Sequence, residues 1–127
     1  MRSYNLYLKD ISESIEKILE YTKEIDFEGF IENSMIFDAV IRNFEIIGEA
    51  AKNIPDNVKS KFSHIPWIDM VGMRNILIHG YFGVDYSIVW NTIGLLPNLH
   101  NEINHVLWLY ENEFITDQEP PEISSVS

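Results

Sequence analysis

Apolar residues recur at steps of three and four along almost the whole chain, and no stretch alternates with period two for long enough to form a strand. Such a chain buries its apolar residues by laying helix against helix. The expected fold is therefore all-α, an antiparallel helical bundle of four to five helices. Tyr4, Leu8, Ile11, Ile15 and Ile18 mark a first helix from Tyr4 to about Ile25, and Asp26-Phe27-Glu28-Gly29 reads as the turn after it. A second helix runs from near Phe30 to Asn53 on the seam Phe37, Val40, Phe44, Ile47 and Ala51, and Pro55 stops it. Val58 to Ser63 forms one or two helical turns. Pro66 then occupies the first turn of a third helix, Trp67 to His79, which Gly80 ends. Asp85 caps a fourth helix, Pro97 breaks or kinks it, and the pattern resumes from Leu99 to Phe114 as a fifth segment.

A chain of 127 residues suits one domain, here residues 1–115, and its 46% hydrophobic content is ample for one core. Residues 116–127 are acidic, carry Pro-Pro and several serines, and show no apolar periodicity, so they are expected to form a disordered tail. The absence of cysteine excludes disulfide scaffolds, thiolate metal sites and thiol nucleophiles, and it fits a reducing cytoplasm. Neither a secretory leader nor a membrane-spanning run is present, so a cytoplasmic protein without membrane contact is expected. The net charge is −11. The last twelve residues hold three acids and no base, so the body alone still carries −8. Broad phosphate neutralisation is excluded by that sign. Any nucleic-acid contact has to be local, and solubility or a basic protein partner accounts for the rest.

Chemistry concentrates in one stretch, Met73 to Asp85, where Arg74, Asn75 and His79 interrupt an apolar helix before a glycine-flanked aromatic turn. At 100° per residue, Met70, Met73, Ile76 and Leu77 share one face, expected to meet the chain's own core. Arg74, Asn75 and His79 fall on a second face with Ile68, Val71, Gly72 and Ile78. That mixed face suits a two-fold dimer in which this helix packs on its mate and Gly72 permits close approach. Arginine holds phosphate through a planar fork, histidine exchanges a proton near neutrality, and asparagine one turn before it can orient it. The set suits cleavage of RNA without a metal or cofactor; it also suits ordinary capping and interface bonds. On the second helix, Ser34, Asp38, Arg42, Glu45, Glu49 and Lys52 form a polar arc with Asp38 and Arg42 spaced as an ion pair. Asp38, Arg42 or Glu49 either borders a site, because Gly48 leaves the adjacent surface narrow, or forms a solvated face. His64, His100 and His105 lack metal-ligand spacing, and Trp67, Trp90 and Trp108 suit core or interface better than base stacking.

Arg74-Asn75-x-x-x-His79-x-Tyr81 resembles the Arg-x-x-x-x-His-x-Tyr signature of HEPN-domain toxins of the HepT family. Gly72-Met73-Arg74-Asn75, His79-Gly80-Tyr81-Phe82-Gly83-Val84-Asp85, Trp90 and Ile47-Gly48-Glu49-Ala50 extend the likeness, which covers roughly Tyr4 to Phe114. The resemblance implies a dimeric helical bundle and a metal-independent endoribonuclease, the toxin of a toxin–antitoxin pair. Arg74 and His79 would be catalytic, with Asn75 in support. It also implies a minimal nucleotidyltransferase (MNT) antitoxin able to attach AMP to Tyr81, whose adenylate would block the cleft by bulk and charge. HEPN domains also serve as non-catalytic modules assisting a separate nucleotidyltransferase, which is the alternative the resemblance leaves.

Overall fold

The computed structural model describes residues 2–79 and 85–118, apart from the side chains of Ile78 and His79. Gly80, Tyr81 and the rest of the aromatic turn lie outside the described residues, as do residues 119–127 of the expected tail.

Among the described residues the chain is all-α, with no strand. Seven helices follow in order: α1 Tyr4–Thr22, α2 Phe27–Glu32, α3 Ser34–Lys52, α4 Asp56–Lys61, α5 Trp67–His79, α6 Tyr86–Ile93 and α7 Leu96–Glu111. Five match the helices expected from periodicity, α4 is the expected one or two turns starting two residues earlier, at Asp56, and α2 is a six-residue addition. The expected second helix is broken near its start. Asn33 leaves helical geometry, and its side chain accepts from the amide of Ile36 to cap α3. Asp26, expected in a turn, caps α2 by accepting from Gly29. Helical spacing continues across Asn33, so periodicity alone could not locate the break.

Helix α3 is the centre of the bundle. It packs against α1 on one side and α5 on another, and α7 packs against α1. The core is continuous through Leu8, Ile11, Ile15, Ile18, Val40, Phe44, Ile47, Ile103 and Val106, all buried. Each such aliphatic residue contributes roughly 1.5–3 kcal/mol relative to exposure. Helices α2 and α6 meet at one end, where Phe30, Phe37, Tyr86 and Trp90 form an aromatic cluster with Phe37 and Tyr86 rings 4.5 Å apart. Pro97 lies in the first turn of α7, after α6 has ended, where a missing N–H costs nothing.

Helix α7 closes on a left-handed residue, Glu113, with φ of 64°. The amide of Phe114 bonds the carbonyl of Leu109, and that of Glu113 bonds Tyr110, a Schellman closure built without glycine. The chain then crosses the start of α1. The carboxylate of Asp117 accepts from the Ser3 hydroxyl at 2.7 Å, the Tyr4 amide at 3.3 Å and the Tyr110 hydroxyl. The Tyr110 and Ser3 hydrogen bonds hold the Asp117 carboxyl below the usual carboxylate range. Burial, with Asp117 close by, pushes the Tyr4 phenol up to about 12.

Candidate active site

Helix α5 is fixed at its start by the Ile65-Pro66-Trp67 corner. The Trp67 amide donates to the carbonyl of Ile65 at 2.8 Å, and its indole N–H donates to that of Phe62 at 3.1 Å. Trp67, Met70 and Leu77 are buried, and Val71 packs on the core. That row is centred near the direction of Arg74, because α3 meets α5 along it.

Gly48 makes the contact possible. A Cβ there would lie 2.1 Å from Cβ of Arg74 and 2.8 Å from the carbonyl oxygen of Met70. With hydrogen in its place, the stem of Arg74 lies against the backbone of α3. One residue on, Glu49 reaches the guanidinium, with Arg74 Nε 2.9 Å from its carboxylate. Arg74 Nη1 donates to Oδ1 of Asn75 at 3.1 Å. The arginine side chain is 24% exposed. One guanidinium N–H is thus engaged by Asn75 while the charge is paired with Glu49, the fork geometry that also suits an anion.

These contacts correct the expected division of α5. Arg74 is on the face packed against α3, and Ile76, expected in the core, is 63% exposed. Val71, expected on the partner face, packs against the core. The helix carries apolar residues on every side, so no preferred direction could be read from it. The free strip is Ile68, Gly72 and Ile76, joined by Ile88 of α6 around a shallow groove of about 360 Å³. Ile68 is 87% exposed. Gly72 differs from Gly48: a Cβ there would meet nothing within 4 Å among the described residues.

Of the supporting residues expected on α3, the structure brings Glu49 to Arg74. Asp38 and Arg42 do not join it. Arg42 pairs with Glu45 at 3.7 Å in place of Asp38, and both Asp38 and Arg42 are exposed. His79 is the last residue of α5, about 7.5 Å along the axis from Arg74 at 1.5 Å per residue. Its side chain and the whole of Tyr81 lie outside the described residues. Beyond them, Asp85 caps α6 by accepting from the amide of Ser87 at 2.8 Å and from its hydroxyl. Those bonds lower the acid's pKa.

A family profile described as "Ribonuclease HepT-like" matches residues 11–106. The chain belongs to the HepT-like ribonuclease family. Among its relatives, "Putative RNase MJ1380" of Methanocaldococcus jannaschii is 46% identical over 106 residues, 83% of this chain and 97% of the relative. "Probable ribonuclease HepT" of Thermococcus cleftensis is 52% identical over 92 residues, 72% of this chain and 84% of the relative. "Putative RNase TTE0752" of Caldanaerobacter subterraneus subsp. tengcongensis is 41% identical over 108 residues, 84% and 96% respectively. No solved structure matches significantly. No helix among the described residues is long and apolar enough to cross a membrane.

His64, His100 and His105 are dispersed. His64 pairs with Glu102 at 3.3 Å, His100 with Glu16 at 3.5 Å, and His105 stacks on Trp108. Trp67 is core and Trp90 partly so. Trp108 is 51% exposed and stacked with Phe114 on the outside of α7. Sequence reasoning noted Gly48 as a narrow place on α3 but missed that it seats Arg74; the signal was a glycine directly before an acid on a helix otherwise rich in Ile, Phe and Ala.

Proposed function

We propose that this chain is a metal-independent endoribonuclease, the toxin of a toxin–antitoxin pair, with Arg74 and His79 as catalytic residues and Asn75 in support. The observation that carries the reading is Arg74 itself: a partly buried guanidinium, aimed by Glu49 and Asn75, on the helix that ends at His79. A charge held this way stabilises a phosphorane without reorganising as it forms. One histidine takes the proton of the ribose 2′-hydroxyl as its oxygen attacks phosphorus. A second histidine returns a proton to the leaving 5′-oxygen, giving a 2′,3′-cyclic phosphate.

The second histidine comes from a second copy of the chain. The strip Ile68, Gly72, Ile76 and Ile88 supports a homodimer, because among the described residues it is apolar, exposed and open at Gly72. An MNT-type nucleotidyltransferase is the antitoxin. The Tyr81 phenol attacks the α-phosphorus of ATP and pyrophosphate leaves, placing an anionic adenylate two residues from His79.

The test is incubation of labelled RNA with the pure protein in EDTA. Cyclic phosphate ends that disappear in Arg74→Ala and in His79→Ala are the expected result. Cutting retained in His79→Ala would overturn the assignment. No cutting by pure wild type would leave the binding module that assists a nucleotidyltransferase, a role the acidic surface suits. An intact-mass increase of one adenylate after incubation with an MNT-type nucleotidyltransferase and ATP, absent in Tyr81→Phe, checks the modification.

A further inference from the structure

A cleft of about 590 Å³ opens between α3, α5 and the start of α7, beside the Ile68–Ile76 strip, with Asp69 and Met73 lining both. Its apolar lining is Phe44 and Ile47 of α3, Met70 and Met73 of α5, and Leu96 and Leu99 of α7. Its size falls within the range of sites that enclose a ligand or an anchoring side chain. The rim is acidic. Glu102 and Asp69 line it, and no lysine or arginine does among the described residues. Glu102 accepts from the Asn98 side-chain amide at 2.8 Å, and His64, which also lines the cleft, lies 3.3 Å from its carboxylate. Leu95, 69% exposed, continues the apolar surface past the rim.

We propose that this cleft is a docking site for a basic protein segment that inserts one Leu- or Phe-sized side chain and sets its lysines or arginines against Asp69 and Glu102. Apolar depth supplies the anchor, which is how a few buried residues come to dominate an interface. The carboxylate rim supplies the sign, and the body's charge of −8 steers a basic partner toward it. An acidic segment would meet like charge from Asp69, Glu102 and the surrounding surface. The cleft is also mechanically close to the candidate site. Met73 directly precedes Arg74, and the carbonyl of Met70 touches the Gly48 crossing. The inference rests on the cleft alone and does not depend on the ribonuclease reading.

The experiment uses the full chain with methyl-labelled methionine. Met70 reports the cleft, Met73 the boundary between it and the Ile68–Ile76 groove, and Met35, 82% exposed on α3, is an internal reference away from both. Three capped peptides serve as probes: Lys-Lys-Phe-Lys-Lys, Lys-Lys-Ala-Lys-Lys and Glu-Glu-Phe-Glu-Glu. The first is expected to shift the Met70 and Met73 methyl resonances saturably while Met35 stays fixed, and the other two to leave all three in place. The double variant Asp69→Asn, Glu102→Gln is expected to weaken the first peptide roughly three- to tenfold, as removal of two partly screened charge pairs should. The proposal is overturned if millimolar Lys-Lys-Phe-Lys-Lys moves neither cleft methionine. It is equally overturned if the alanine or acidic peptide shifts them as strongly, or if the charge-removed variant binds unchanged.

Discussion

Replacing Gly48 by alanine sets a methyl group into space already filled by the stem of Arg74 and the carbonyl of Met70. Neither neighbour is the loose end of a flexible chain, so the helices have to separate. The expected cost is on the order of 3 kcal/mol, read as a fall in melting temperature of several degrees or more. RNA cutting falls with it, because Arg74 moves outward with its helix. Glu49→Gln isolates the other half of the arrangement. The pair is half-exposed, so stability should change by less than about 1 kcal/mol. Turnover should fall by roughly ten- to a hundredfold as the guanidinium loses its aim. A Glu49→Gln variant that cut at the wild-type rate would remove Glu49 from the site. The residue types of Arg74 and Asn75 were legible in the sequence, and so was a place for Glu49. Their joining was not, because it depends on a glycine that closes a distance between two helices, and the chain between them does not specify that distance.

At the scale of elements, the most legible boundary was that of α5. Pro66 ahead of Trp67 marks its start, and the structure begins the helix at Trp67; the expected stop at Gly80 lies outside the described residues. The cap at Asp85 was legible for the same reason, a short acceptor ahead of apolar helix. The rotation of α5 was not, since Ile68, Ile76, Met70 and Leu77 lie all around it and burial is decided by where α3 arrives. The crossing of the C-terminal segment over α1 was also hidden, because Asp117 stands in a stretch with no apolar period. It supports a pH prediction. The folded carboxyl has a lowered pKa, so its contribution to stability is complete above its ordinary value of about 4 and disappears as pH falls through the lower folded value. Acid unfolding followed by circular dichroism should therefore show wild type more stable than Asp117→Asn by a constant margin above about pH 4. That margin should shrink steadily below it. A margin that grew on acidification would mean that Asp117 is not held as its contacts indicate.

For the whole molecule, the apolar strip on α5 and α6 sets the prediction. Ile68 and Ile76 are exposed in the single subunit, so charging them should leave its fold intact. Sedimentation at micromolar concentration is expected to show a dimer for wild type and a monomer for the Ile68→Asp, Ile76→Asp double variant, with unchanged helical content. RNA cutting should disappear with the dimer. A wild-type monomer that cuts RNA would require both proton transfers to be made within one subunit.

The crossing at Gly48 has a consequence for motion. Two helices that touch through backbone and a Cβ atom cannot roll past each other as helices separated by long, adaptable side chains can. Opening that contact requires α3 and α5 to part together, which ties it to the unfolding of the bundle centre. The amides of α5 around Met70 to Arg74 should thus exchange with deuterium among the slowest in the protein, and only through global opening. Rapid exchange there would make Arg74 a mobile group instead of a fixed one.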